Sequence, residues 1–263
     1  MAKITEKTIK GFVMTLDYNA IEEKLVTFLR AETAKAGFER VVVGLSGGVD
    51  SATVAVLCKK AFGANMLAVM LPSDTTNPVH MSHALELCEK FDIEAEHVSI
   101  KNMLHAYPLE FKTTLRKGNM AARLRMTVLY DISARDRSLV VGTSNKSEII
   151  LGYGTLFGDT ACAINPIGQL YKTQVFALAR HLGVTEEIIN KAPSADLWEG
   201  QNDEEELGFK YKDLDAAMFD IFDKKLSSAE LAANGHSEEI VKFINSRYEG
   251  NVFKSRPPKI AEI

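Results

Sequence analysis

Between Val41 and Ser51 the chain reads Val-Val-Val-Gly-Leu-Ser-Gly-Gly-Val-Asp-Ser. A β-branched run leads into Gly44, Leu45, Ser46, Gly47, Gly48, Val49, Asp50 and Ser51, and helically spaced apolar residues follow at Val54, Leu57, Cys58 and Phe62. A strand, a glycine turn and a helix start together form an anion site. The glycines let the backbone approach, while the orphan N–H groups and the helix dipole favour negative charge. Without a ligand, the same pattern is a glycine turn closing an ordinary βα unit. Asp50 would repel a bare phosphate, and it makes sense beside one if a divalent cation such as Mg²⁺ lies between them. A second cluster, Val141-Gly142-Thr143-Ser144-Asn145-Lys146-Ser147-Glu148, repeats the strand, Gly-Thr turn and helix start, with Glu148 about one turn into the helix. Asp50 and Glu148 offer two oxygen ligands to Mg²⁺, which takes one or two carboxylates with phosphates and water. Alone, Glu148 reads equally as a first-turn acid complementing the helix dipole.

The elements that must position these groups alternate along the chain. Ile21, Leu25, Phe28 and Leu29 mark an opening helix ending near Gly37, and strand 40–45 and helix 51–62 follow. The run 66–71 is apolar throughout, as expected of a strand covered on both faces. A helix striped by Ala84, Leu87, Cys88 and Phe91, a weaker strand near His97 to Ile100, a long helix from Asn119 to Asp131 and a strand from Ser138 to Thr143 come next. This alternation predicts an α/β fold, a doubly wound parallel sheet with helices on both faces in three layers. Ligands then bind beyond the carboxyl ends of the strands, where Ser46 and Thr143 emerge. Residues 152–172 are rich in glycine and short polar side chains, as a loop folding over a ligand would be, and Lys172 stands before a helix striped by Val175, Leu178 and Leu182. Pro193 to Gly208 reads as an acidic loop, and two amphipathic helices, striped by Leu214, Ala217, Met218, Ile221 and Phe222 and by Ile240, Phe243 and Ile244, close the chain. The expected organisation is one domain over 1–263, with a core at about 20–183 and a helical segment at about 184–263 packed on it.

Composition narrows the class. Net charge of −4 provides no field for nucleic acid, and 46% hydrophobic with 25% charged residues is ordinary for a globular protein. Cys58, Cys88 and Cys162 form no CxxC pair and read as small buried hydrophobes in a reducing cytoplasm. The opening Met1-Ala2-Lys3-Ile4-Thr5-Glu6-Lys7 has no apolar h-region, and no stretch is long enough to span a bilayer. The expectation is a cytoplasmic enzyme without nucleic-acid or membrane partners.

The loop at 46–51 lacks the Gly-Lys-Ser/Thr ending of a Walker A loop. It resembles the Ser-Gly-Gly-x-Asp-Ser pyrophosphate loop of the ATP-pyrophosphatase superfamily. Gly142-Thr143 with Glu148, Gly158-Asp159, Asn165-Pro166 with Lys172, and Ala192-Pro193-Ser194-Ala195-Asp196-Leu197 follow in one order and at matching spacing. Together they are similar to NAD⁺ synthetases of the ammonia-dependent type, over essentially the whole chain. The resemblance implies an adenine nucleotide alpha hydrolase-like fold, ATP as co-substrate, Mg²⁺ on Asp50 and Glu148, and a homodimer. It also implies a two-step amidation, in which the carboxylate of deamido-NAD⁺ is adenylated with loss of pyrophosphate and ammonia then displaces AMP. ATP contacts are implied for the 44–51 loop, Thr143, Lys172 and Ser194. Deamido-NAD⁺ contacts are implied for Arg123, Asp159, Phe253 and Lys254, with Asp159 placed to bind ammonium or accept its proton. By themselves, Arg123 and Arg125 read as exposed helix arginines and Lys172 as a solvated lysine. Leu156 stands where many relatives have lysine, Ala163 where an acid is frequent, and Phe253 where histidine is usual.

Glutamine-dependent relatives carry a further glutaminase domain for which these residues leave no room, so free ammonia, or a separate glutaminase subunit, is the expected nitrogen source. Two rival readings share the opening loop. GMP synthetase subunits and tRNA-thiolating enzymes do not fit the downstream motifs, and a non-catalytic nucleotide sensor has little need of two metal-type carboxylates.

Overall fold

Val41, Val42 and Val43 are wholly buried, and they seed the centre of the sheet. Each such valine stabilises the fold by roughly 1.5–3 kcal/mol. The computed structural model describes residues 16–194, 198 and 200–262, so Met1 to Lys7 and Ala195, Asp196 and Leu197 lie outside the described residues. The first half alternates α1 (Tyr18–Lys35), β1 (Arg40–Gly44), α2 (Val49–Phe62), β2 (Met66–Met70), α3 (Pro78–Phe91), β3 (Ala95–His97), α4 (Lys101–His105), α5 (Thr114–Asp136) and β4 (Ser138–Val141). The strands form a parallel sheet in the order β3-β2-β1-β4, with Val41 opposite Met66 on one side and Leu139 on the other. A single parallel bridge adds Ile164 beside Val141.

The two-residue period of the strands sorts their side chains into two cores. Val41, Val43, Ala68 and Val141 face Leu29 of α1 and the α2 residues Val54 and Leu57. Val42, Leu67, Val69 and Val140 face Met126, Leu129 and Ile132 of α5. Helices on both faces make the three-layer arrangement expected. Because β2 and β4 flank β1 on opposite sides, the chain leaves β1 and β4 in diverging directions and opens a crevice at their carboxyl ends.

The second half is helical: α6 (Lys146–Leu151), α7 (Lys172–Leu182), α8 (Glu186–Ile189), α9 (Asp203–Leu207), α10 (Tyr211–Met218), α11 (Ser228–Ala233) and α12 (Glu238–Asn251). Ile150 and Leu151 of α6 join Leu214, Met218, Ile240 and Ile244 in a third apolar cluster, which ties the C-terminal helices to the crevice wall.

Several boundaries differ from expectation. The long helix starts at Thr114 rather than Asn119, where the Thr113 side chain accepts the Arg116 N–H. The weak strand lies at 95–97 rather than 97–100, because Ala95 and His97 pair with Ala68 and Met70. The acidic loop contains α9, capped by Asn202. The first closing helix passes into a π-helical turn over Phe219–Asp223. That turn carries Asp220, a buried carboxylate contacted by Asn234 Nδ2 at 2.9 Å, His236 Nε2 at 2.9 Å and Lys224 Nζ at 2.8 Å.

Burial pushes the Asp220 carboxyl up, but the Lys224, His236 and Asn234 hydrogen bonds outweigh it and hold the group below its ordinary range. A depressed folded-state pKa contributes stability that is complete above the unfolded carboxylate value of about 4 and is lost as pH falls through the native value. The melting temperature is therefore expected to drop below about pH 4, with a smaller acid dependence in Asp220→Asn. Calorimetric scans between acid and neutral pH check this. Equal acid sensitivity in the two proteins would remove Asp220 from the account.

Candidate active site

The crevice widens into a cavity of about 470 Å³. Its floor is the turn after β1. Gly47 has φ +77°, and a Cβ there would stand 2.2 Å from the His80 carbonyl oxygen, so the turn excludes any side chain. Gly48 caps α2 without a side-chain bond, which leaves the helix start open to an anion. Ser51 braces the loop from within: its Oγ donates to Gly48 O at 3.0 Å and lies 3.2 Å from the Ser46 N–H that donates to it. Ser46 is exposed toward the cavity.

The opposite wall begins after β4. Gly142 approaches Cys162 so closely that a Cβ would sit 2.4 Å from Sγ. Asn145 caps α6 in a capping box: its Oδ1 accepts Glu148 N at 3.0 Å, and Glu148 Oε2 accepts Asn145 N at 3.2 Å. Glu148 is therefore the acid at the helix start, as one of its two readings had it. One oxygen closes the helix start, and Oε1 faces Lys172 Nζ at 3.5 Å. Asn145 Nδ2 also donates to Asp50 Oδ1 at 3.0 Å, joining the two walls.

Lys172 is buried at the first residue of α7, and its ammonium contacts Asp50 Oδ2 directly. Burial pulls its pKa down, but the Asp50 and Glu148 carboxylates outweigh that and raise it. Burial, and then the Asp50 charge, raise Glu148 well above the usual carboxylate range. Lys172 is thus no solvated lysine. It is the cation between two acids.

Behind this cluster stands a residue that the sequence reading missed. Asp215 is fully buried; its Oδ1 accepts Ser147 Oγ at 2.6 Å and its Oδ2 accepts Thr173 N at 2.8 Å. Ser147 Oγ in turn accepts Lys172 N at 2.9 Å, so Asp215 locks α6 and α7 in register. Burial pushes its carboxyl up to about 6. An acid beside Leu214 on an otherwise apolar helix face was its only signal in the sequence.

The structure gathers most of the expected residues. Gly44, Leu45, Ser46, Gly48, Asp50, Ser51, Thr143, Glu148, Asp159, Lys172, Ser194 and Lys254 line the one cavity. Gly47 and Val49 shape the turn behind it. Asp159 opens to the cavity lumen yet is crowded by protein, and burial raises its carboxyl against the pull of Thr155 N–H at 2.8 Å. Lys254 Nζ donates to Gly152 O at 2.9 Å and Gly154 O at 3.2 Å, holding the glycine loop.

Arg123 and Phe253 do not line this cavity. Arg123 is exposed on α5 with Nε donating to Leu156 O at 3.2 Å, and Phe253 is 58% exposed. Arg125, read alone as an exposed helix arginine, instead lines the cavity and donates to Leu71 O at 2.9 Å. Asn145, Tyr153, Asp203 and Glu206 are further residues the sequence reading passed over. Tyr153 Oη donates to Asp203 at 3.1 Å and Glu206 at 2.8 Å, folding the acidic segment over the glycine loop. The Asn-x-x-Glu spacing at 145–148 was a usable capping signal. The burial of Asp203 had none.

A cation already sits between Asp50 and Glu148 in the form of the lysine ammonium, so the pair can face a positive centre. Among the described residues, no three or more His, Cys, Asp or Glu side chains are grouped to hold a metal. Two hard carboxylate oxygens fit Mg²⁺ that shares its remaining positions with phosphate and water.

Fold and crevice together define a class: α/β proteins that grip the phosphates of a nucleotide at a sheet switch point, with paired carboxylates beside them. The NAD synthase family profile matches residues 21–258. An NH₃-dependent NAD⁺ synthetase of Wolinella succinogenes is 52% identical over 93% of this chain and 96% of its own length. Its Helicobacter pylori counterpart is 50% identical over 95% and 98%. Among solved structures, an NH₃-dependent NAD synthetase from Campylobacter jejuni superposes with TM-score 0.82 at 37% identity, covering 94% of this chain and 100% of that one. An NMN synthetase from Francisella tularensis superposes with TM-score 0.85 at 36% identity and the same coverage. The chain belongs to the NAD synthase family.

Proposed function

We propose that the protein amidates deamido-NAD⁺ to NAD⁺ with ammonia at the expense of ATP. The observation that carries this reading is the meeting of Asp50, Glu148 and Lys172 beside the 46–51 turn, where ATP phosphates and a metal would need opposite charges. A carboxylate is a poor electrophile, so the acceptor carboxylate first attacks the α-phosphorus of ATP and pyrophosphate leaves. Ammonia then adds to the activated carbonyl, loses a proton, and AMP leaves. The chain's part is positioning and charge neutralisation. The open start of α2 and Ser46 bind the leaving pyrophosphate, with Thr143 on the facing wall. Asp50 and Glu148 would hold Mg²⁺, which neutralises charge on the phosphates when bound. Lys172 then turns from the carboxylates to a phosphate oxygen, and Asp159, a carboxylate open to the cavity, takes the proton from ammonium.

Residues 184–263 work as part of the same unit, because their helices form the wall behind Glu148 and Lys172. Arg123 and Phe253, which are exposed and do not line the cavity of their own chain, serve a dinucleotide site completed by a second copy in a homodimer. No described helix is long and apolar enough to cross a membrane. The free thiols of Cys58, Cys88 and Cys162 suit the reducing cytoplasm.

The test is pyrophosphate release from ATP with Mg²⁺, ammonium and one acceptor at a time. Release with deamido-NAD⁺ is expected. Release only with the deamidated mononucleotide would transfer the activity to the smaller acceptor, and release only with xanthosine monophosphate would overturn the reading. Light scattering gives the mass of the particle, and a monomer at assay concentration would sink the shared site.

A further inference from the structure

The described residues lining the cavity include four basic side chains, Arg125, Lys172, Arg247 and Lys254. Three are committed. Lys172 is held by Asp50 and Glu148, Arg125 by Leu71 O, and Lys254 by the carbonyls of Gly152 and Gly154. Arg247 is different. Its Nε donates to Leu151 O at 3.1 Å, while its two Nη groups make no hydrogen bond among the described residues. The guanidinium is half-buried in the cavity wall beside Lys254, a second positive charge. With both Nη groups open to the cavity and free of partners among the described residues, the planar fork is available to an anion that enters.

The fork is also well fixed. Arg247 lies on α12, its carbonyl accepts Asn251 Nδ2 at 2.9 Å, and its Nε anchor is the last residue of α6, the helix that bears Glu148. Gly152 packs so closely on this helix that a Cβ would stand 2.1 Å from Asn251 Cβ. The guanidinium is therefore tied through Nε to the end of the helix that bears Glu148.

We propose that Arg247 recognises the carboxylate of the acceptor and so distinguishes the deamidated substrate from the amide product. This rests on the amide-synthesis reading above. The reaction converts a planar anion into a neutral amide, and a planar guanidinium fork matches a carboxylate through two parallel hydrogen bonds. The carboxylate must also approach an α-phosphate of the same sign, with Asp159 on the neighbouring wall. A fixed cation on the acceptor side lowers that repulsion at no reorganisation cost. Once the amide has formed, the charge that held the group is gone, which favours product release.

The test compares affinities of deamido-NAD⁺ and NAD⁺ by titration calorimetry without ATP. The wild-type protein is expected to prefer deamido-NAD⁺ by roughly 10- to 100-fold, the range of a charge-assisted pair. In Arg247→Gln the two affinities should come within about threefold of each other, while binding of NAD⁺ and of a non-hydrolysable ATP analogue stays unchanged. A variant that keeps the preference, or that loses both dinucleotides equally, overturns the assignment; the second result marks a purely structural side chain. If Arg247→Gln fails to fold, Arg247→Met keeps the aliphatic stem and is read by the same ratio. Wild-type protein that binds neither dinucleotide overturns the amide-synthesis reading, and this assignment with it.

Discussion

Asp50→Asn is expected to lower turnover by about 10³-fold or more, the loss of several kcal/mol of charge stabilisation in the transition state. The change is nearly isosteric. The amide can still meet Asn145, whose Nδ2 lies 3.0 Å from Oδ1 in the native protein, but it cannot neutralise a divalent cation. The fold should survive, with unchanged circular dichroism, and Glu148→Gln should behave in the same way. Single-turnover pyrophosphate release isolates the adenylation step from later ones. A near-native rate in either variant would take that residue out of the metal role.

The second large effect falls on stability as well as on rate. Lys172 has a side chain only 4% exposed, with carboxylates on two sides. Lys172→Met removes the cation and leaves Asp50 and Glu148 facing each other. Breaking a buried pair in this way costs about 3–5 kcal/mol, so in chelator the variant should melt well below the native protein. Mg²⁺ that binds the native state alone should restore much of the loss, because binding energy adds to folding stability. The same ion should raise the native protein's melting temperature less, since there the lysine has to be displaced first. Paired thermal scans with chelator and with Mg²⁺ measure both shifts. Equal shifts would show that lysine and metal do not share the carboxylates. Activity should fall in the variant even at saturating Mg²⁺, because no ammonium remains to meet the phosphates.

How much could be read from the chain depends on the range of the interactions concerned. Val41–Val43, the 66–71 run and Ser138–Val141 announced their strands, because burial on both faces demands apolar residues at every position. The edge strand Ala95–His97 was misplaced by two residues. It is held by main-chain pairing to β2, which leaves little mark on side-chain type. The start of α5 was placed late because Leu115, Arg116 and Lys117 show no apolar stripe. The π turn at Phe219–Asp223 was hidden within a regular stripe, since Asp220 gains its partners His236 and Asn234 only after α11 folds back. The run Asp203–Glu206 read as an acidic loop; it forms α9, with Asp203 buried and hydrogen-bonded by Tyr153 while Glu205 and Glu206 stay exposed.

What the sequence determined unaided is the glycine turn that we propose holds phosphate. Its shape lies in the backbone of consecutive residues, and a glycine with positive φ followed by a helix start without a side-chain cap is written in local sequence. The alternation of strands and helices, hence the doubly wound sheet, was local in the same sense. Only the tertiary structure decided what Lys172 does, for it meets Asp50 across 122 residues of chain. It also decided that Asp215 braces the site and that Arg247 reaches the cavity. A buried charge is governed by how close its partners come and how much water they exclude. Neither distance nor desolvation exists until helices far apart in sequence have packed on the same sheet.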